Sequence, residues 1–470
     1  MEKARVTPVN EERFFEPHEL FFSLTDPKGV IRYGNDVFTR IAAYDEAELI
    51  GAPHNIIRHP DMPRAAFKLL WDYLQSDRTI AAYVKNMAKD GRYYWVVATA
   101  MPCKGGYLSV RLKPSSPLFE VVQKMYHRTL QVEKQCEEET GNRKLAIERG
   151  VKHLLAEVKA AGFDSYESFM SEMLAAELSS RAELLRASGY TAKRSIDSSG
   201  RRGIRQLEST CRLIGTMIGK LFKSVDDFRR LEKQLAAKYD DIQKLGMTLH
   251  LLSINASIAA SRLGSQGAVL GAVADALSDM SKQMEVSINH RASRLGPLQE
   301  ACGKLVFGIA VAMFEAEVAC DFAIELQTST DTCHNATVLE SLDAMVDEFE
   351  NRCRDVIVGM RASGEEISRT RREVRELVNR FIEMKAIQIN GKAEAANSGA
   401  NSEFSVIFDE VAKLVDKGRD DSDQLLTVLI ACTDRVREFD KLSLSFEFEL
   451  DALQKSLAMV NEDRLQLAAV

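Results

Sequence analysis

Residues 53–63 read Pro53-His54-Asn55-Ile56-Ile57-Arg58-His59-Pro60-Asp61-Met62-Pro63. Three prolines, two imidazoles, an arginine and an aspartate share these eleven positions. Pro60 and Pro63 fix φ and bias the residues before them away from the α region, so the backbone is stiff and only partly helical. A rigid segment projecting Arg58, His59 and Asp61 together suits the wall of a pocket that grips a polar ligand. The plainer alternative is that the three side chains staple a helix-to-loop junction.

The flanking sequence supplies the rest of such a pocket. Phe21 to Thr25 and Val30 to Tyr33 read as strands joined by the Asp26-Pro27-Lys28-Gly29 turn. Helical turns follow over Asp36 to Ala42, Glu46 to Leu49 and Arg64 to Leu74. Strands are expected over Ala81 to Met87, Tyr93 to Met101 and Tyr107 to Leu112, the first two meeting at Lys89-Asp90-Gly91. The expectation is a small antiparallel sheet with helices over one face and a ligand site between them. Nine of the ten prolines and both tryptophans lie at or before Pro117, and Pro297 stands alone afterwards. The chain therefore divides into an α+β segment over 1–117, a helical connector over 118–203 and a helical region over 204–470.

Thr25-Asp26 with Gly29, Asn35-Asp36-Val37-Phe38, Glu48-Leu49-Ile50-Gly51, Arg58 to Pro63, and Val84-Lys85-Asn86 with Tyr94-Trp95-Val96 resemble a PAS domain. Within that fold they are similar to the flavin-binding PAS domain of aerotaxis receptors of the Aer type, over about residues 15–115. The resemblance implies FAD as cofactor, supported by Arg58, His59, Asp61 and Asn35. It also marks a departure, because the family commonly carries a pocket-lining tryptophan where this chain has Ile80. Haem held through His59 or His54, or no cofactor at all, stays open.

Beyond residue 120 apolar residues recur three and four apart, as in Leu425, Val428, Cys432, Val436, Phe439, Leu442, Phe446, Leu450, Leu453 and Leu457. That spacing predicts long helices packed as a coiled coil or bundle. Breaks are expected near Gly162, Gly189, Gly264 to Gly267, Gly296-Pro297, Asp331 to Asn335 and Asn397 to Ser402, with Lys193 to Arg205 as a linker. Leu251 to Gly267 resembles the hairpin tip of methyl-accepting chemotaxis proteins, and Ile387 to Gly399 fits the same template 135 residues later, as 390 − 255 and 399 − 264 both show. Two hairpins, about 204–330 and 335–465, would give one chain a four-helix bundle and a pseudo-dimeric monomer. The resemblance implies partner contacts at Asn255, Arg262, Asn390 and Glu394. The partners would be of the chemotaxis type, the histidine kinase CheA and its coupling protein CheW. Ala259 and Asn397 replace the glutamate and arginine of that contact set, one in each copy.

Composition narrows the function classes. A net charge of −7 on 470 residues leaves no basic surplus for nucleic acid. The eight cysteines are scattered without metal-ligand spacing, as reduced thiols of a cytoplasmic protein would be. No signal peptide or apolar membrane-spanning run is read. No nucleophile–base set, P-loop or dinucleotide fingerprint argues for an enzyme. The expectation is a redox or oxygen sensor that relays to a helical bundle, or else a cofactor-free adaptor.

Overall fold

Six strands build the N-terminal sheet: β1 (Val9–Glu12), β2 (Phe21–Thr25), β3 (Ile31–Gly34), β4 (Ile80–Met87), β5 (Arg92–Cys103) and β6 (Gly106–Leu112). Helices α1 (Asp36–Ala42), α2 (Glu46–Leu49) and α3 (Arg64–Gln75) lie between β3 and β4, with a 3-10 turn at His54–Ile57. The computed structural model describes residues 6–190, 202–328, 332–397 and 403–468. The strand order is β1-β5-β6-β2-β3, with β4 on the other side of β5. All pairs are antiparallel except β1, which runs parallel to the start of β5. Its sequence, Val9-Asn10-Glu11-Glu12, is exposed at every position and has no apolar alternation. The sheet is therefore not purely antiparallel as expected.

Register assigns each residue a face. Phe21, Arg111, Ala98 and Ala82 stand in one cross-strand row, and Phe22, Val110, Thr99 and Ala81 in the next, pointing the opposite way. We call the first face inner and the second outer. The β4–β5 hairpin turns at Gly91, whose φ of +88° suits glycine. Gly106 lets β6 pass against β2, since a Cβ there would lie 1.8 Å from the Thr25 carbonyl oxygen.

Helices α4 (Leu118–Thr140), α5 (Arg143–Ala160) and α6 (Tyr166–Ala187) follow. They pack back on the sheet rather than serving only as a connector. Trp95 meets Phe119 edge-on at 5.3 Å, and the Tyr83 hydroxyl donates to Glu177 at 2.5 Å. Glu177 also accepts from the Ser115 and Ser116 amides at 2.7 and 3.1 Å, which fixes the entry to α4.

Four long helices complete the chain: α7 (Arg202–Arg262), α8 (Ala268–Thr328), α9 (Thr332–Asn397) and α10 (Glu403–Ala468), with a 3-10 turn at Gly264–Gly267. The fold class is the expected one, an α+β sheet domain followed by helices. One expected break is absent: α8 runs through Gly296-Pro297. A proline removes one helical hydrogen bond and here does not end the ladder. Arg202 to Arg205, assigned to the linker, already belong to α7. The remainder of that linker, and Asp331 and Ser398 to Ser402, lie outside the described residues, as do the side chains of Cys432, Val436, Phe439 and Leu442. Leu425, Leu429, Phe446, Leu450 and Leu453 carry the buried seam of α10.

Two compact units emerge, and the long helices contribute to both. One comprises Met1–Phe222, Gly303–Val356 and Ser443–Val470; the other comprises Lys223–Cys302 and Ile357–Leu442. In the first unit the outer sheet face meets α8, where Phe22 lies edge-on to Phe322 at 5.0 Å and the Tyr33 hydroxyl donates to Glu325 at 2.5 Å. Arg181 of α6 forks onto Glu317 of α8 through two 3.1 Å bonds. The Lys104 amide donates to the Ala344 carbonyl of α9 at 3.3 Å.

In the second unit α9 and α10 are joined by Lys385–Asp416 at 2.7 Å and by the Gln388 amide on the Phe408 carbonyl at 3.1 Å. Lys238 of α7 reaches Asp421 of α10, and Arg380 of α9 reaches Gln283 of α8 at 3.1 Å. Among the described residues no helix is long and apolar enough to cross a membrane.

Candidate functional site

The Arg58-to-Pro63 run is built into the margin of the sheet. Arg58 pairs by backbone with Asn86 of β4. Its guanidinium lies 3.9 Å over the Phe67 ring of α3, and burial pulls its pKa down to about 10. His59 is almost fully buried, and its Nδ1 accepts from the Asp61 amide at 3.1 Å. The Nδ1 lone pair is thus engaged and the ring proton sits on Nε2. Burial, helped by the charge of Lys85, pushes His59 down to about 4. The exposed Asp61 carboxylate receives Lys85 Nζ at 2.9 Å. Burial works against that carboxylate, but the Lys85 bond and charge hold it below its ordinary value.

Asn35 is committed as well. Its side-chain oxygen accepts from the Phe38 and Phe22 amides, each at 3.2 Å, and its amide donates to the Leu20 carbonyl at 3.1 Å. It caps α1 and ties that helix to β2. The four residues expected at the cofactor therefore do not converge on one point. His59, Asp61 and Lys85 form one cluster, Arg58 stacks apart on Phe67, and Asn35 is a cap.

A different set converges on the inner face. Arg111 of β6 is 2% exposed. Its Nη2 lies 2.6 Å from His54 Nε2 and donates to Ser23 Oγ at 3.0 Å, while Nη1 donates to the Ser109 carbonyl at 3.3 Å. A guanidinium only donates, so His54 Nε2 is the acceptor and the ring is the neutral Nδ1–H tautomer. Burial, reinforced by the charge of Arg111, drives His54 down to about 3. The His54 ring stacks 6.1 Å from Phe38, and the Arg111 guanidinium lies 5.3 Å from the same ring.

Among the described residues Arg111 has no ion-pair partner, and burial lowers its pKa to about 10. Tyr94, on the same inner face, is completely buried, and its hydroxyl has no hydrogen-bond partner among the described residues. Burial raises the pKa of that hydroxyl, while the Arg111 charge acts to lower it. Around this pair the inner face carries small side chains, Ala82, Ala98, Ala100 and Ser23, and Ile80 stands opposite Ala100. A buried cation without a counter-ion and an orphaned hydroxyl cost several kcal/mol unless something answers them.

Sequence reasoning gave no site role to Arg111, Tyr94 or Ser23, although Tyr94 lies in the stretch that carries the PAS resemblance. In β6 Leu108, Val110 and Leu112 alternate with Ser109 and Arg111, so the strand reads as half-buried with Arg111 on its polar face, and nothing in the strand marks that second face as buried too. His54, named only as a haem ligand, is the member of the opening run that reaches this cluster. Of the expected partner-binding residues, Asn255, Arg262 and Asn390 are exposed and Glu394 is half-buried, all on helices of the second unit.

Residues 31–107 match the PAS fold family model. Over 109 residues the chain is 38% identical to the aerotaxis receptor of Escherichia coli strain K12, a span that covers 22% of this chain and 22% of the receptor. The chain thus matches about a fifth of that relative's length. Among solved structures it is similar to the fungal photoreceptor VVD, at 17% identity over 22% of this chain and 83% of that one, with a TM-score of 0.18. A fungal LOV-domain photoreceptor matches at 20% identity over 23% of this chain and 81% of that one, also with a TM-score of 0.18. The N-terminal domain is a PAS domain, similar to that of an aerotaxis receptor, followed by a mostly helical region.

Proposed function

We propose that the protein is a signal-transduction sensor whose PAS domain holds FAD against the inner face of the sheet and reports redox state or oxygen to the helices. The observation that carries the proposal is the buried, unmatched cation of Arg111 beside the orphaned Tyr94 hydroxyl. A flavin ring has a carbonyl- and nitrogen-rich edge of hydrogen-bond acceptors, and these residues supply the matching donors. The likeness to an aerotaxis receptor supports the same reading. When bound, the flavin supplies reversible electron uptake; the chain supplies orientation, exclusion of water and the surrounding charge. Haem has less support, because His54 Nε2 faces a guanidinium and His59 holds the Asp61 amide.

The output is read from the outer face. β2 presents Ser23 to the inner cluster and, one residue away, Phe22 to Phe322 of α8. A shift at the inner face is thus coupled through one strand to a helix contact in the same unit. Chemotaxis-type signalling proteins of the CheA and CheW kind are the proposed partners, met through the second unit near Asn255, Arg262, Asn390 and Glu394. The protein acts as a cytoplasmic relay rather than as an enzyme. Pull-down from the native host tests the output: recovery of a chemotaxis kinase or coupling protein, lost on Asn390→Asp, supports it, and recovery unchanged by that substitution contradicts the contact assignment.

A further inference from the structure

We infer that Arg111 is the residue of the pocket that touches the cofactor's electron-rich edge, with Tyr94 as its companion donor, while Arg58, His59 and Asp61 hold the pocket's margin. The inference rests on the FAD reading and assigns its contacts.

Three observations carry it. Arg111 is sealed in the core with three neutral acceptors, His54 Nε2, Ser23 Oγ and the Ser109 carbonyl, and no carboxylate among the described residues. Neutral acceptors satisfy the guanidinium's N–H groups in part but leave its charge uncompensated, and an uncompensated buried charge destabilises a fold. Second, Tyr94 brings a donor without an acceptor among the described residues to the same face of the sheet as Arg111. Third, Ala82 and Ala98 share Arg111's cross-strand row, so the side chains beside the guanidinium on the β4–β5 side are small. The Arg58 run lacks all three features. Its guanidinium is stacked on Phe67, its imidazole is bonded to the Asp61 amide, and its carboxylate is paired with Lys85.

The consequence is an opposition of sign that a structural arginine would not show. In flavin-free protein Arg111 is a liability; in flavin-bound protein it is an anchor. Arg111→Gln keeps a donor for His54 and removes the charge. In the full-length chain this variant is expected to bind FAD at least tenfold more weakly than wild type, by fluorescence titration of flavin-stripped protein. Its flavin-free melting temperature is expected to equal or exceed that of flavin-free wild type. Arg111→Lys, which keeps the charge, recovers part of the affinity. Arg58→Gln, by loosening the margin, lowers flavin-free stability and affinity together. FAD affinity of Arg111→Gln within twofold of wild type overturns the assignment and leaves the FAD reading standing. A flavin-free melting temperature well below wild type also overturns it, because Arg111 is then a structural residue. Wild-type protein that takes up no FAD removes both the assignment and the reading beneath it.

Discussion

At the scale of single residues, this chain buries charge where ordinary packing would not. Arg111 is one instance, and Glu315 of α8 is another. Glu315 is fully buried, accepts from Arg352 Nε at 3.0 Å through one oxygen, and leaves the other oxygen without a partner among the described residues. Burial outweighs the Arg352 charge and lifts Glu315 from 4.5 to about 7. A carboxyl whose folded pKa lies above its unfolded one supports the fold fully below the unfolded value and loses that support as pH rises through the folded one. Stability should therefore fall between about pH 4.5 and 7 by roughly 3 kcal/mol and level off above. In urea melts across that range, Glu315→Gln should remove most of this slope; a slope unchanged in the variant would show that the carboxyl ionises freely. Such residues are legible only in part. Arg111 falls on the polar side of β6's alternation and Glu315 among ordinary helical charges, and the burial of each comes from tertiary packing rather than from local pattern. The Arg58-to-Pro63 run is the more conspicuous text because prolines and imidazoles are rare, and the structure places Arg58 on Phe67 and His59 and Asp61 beside Lys85.

At the scale of elements, ends are closed by residues far away in sequence. α3 begins at Pro63, which has no side chain to cap it. Glu133 of α4 accepts instead from the Arg64 and Ala65 amides at 2.9 and 2.7 Å. Gly150 of α5 makes room for that carboxylate, since a Cβ there would meet it at 2.5 Å. Gly→Ala inside a helix normally gains about 1 kcal/mol. Here Gly150→Ala should instead cost about 1–2 kcal/mol in chemical denaturation, because it displaces the acceptor of the buried Ala65 amide and the part-buried Arg64 amide. A stabilised variant would mean that Glu133 is free to move. Glu177→Ala strands the Ser115 and Ser116 amides and leaves the Tyr83 hydroxyl only Ser116 Oγ at 3.3 Å, and about 3 kcal/mol or more should be lost.

The central strands and α1 to α3 were legible because turn residues and apolar periods agree there. β1 was not, since Val9 to Glu12 owe their strand geometry to β5 alone. Nor was the continuity of α8 through Pro297, because local propensity at one residue is outweighed by the many turns on either side of it.

At the scale of the molecule, the sheet divides an inner face that carries Arg111, Ser23 and Tyr94 from an aromatic outer seam. Phe322 has no exposed surface and touches both Phe22 and Tyr33. Phe322→Ala should lower stability by about 3–5 kcal/mol while leaving FAD content unchanged, because the cut lies on the face away from the pocket. Loss of flavin in that variant would argue against two separate faces. The central claim is that the inner face holds a flavin, and the absorption spectrum of the purified full-length chain tests it most directly. The account predicts the paired near-ultraviolet and blue bands of oxidised flavin, bleaching on reduction and returning in air. A haem Soret band, or a colourless protein that acquires no flavin bands when FAD is added, would contradict it.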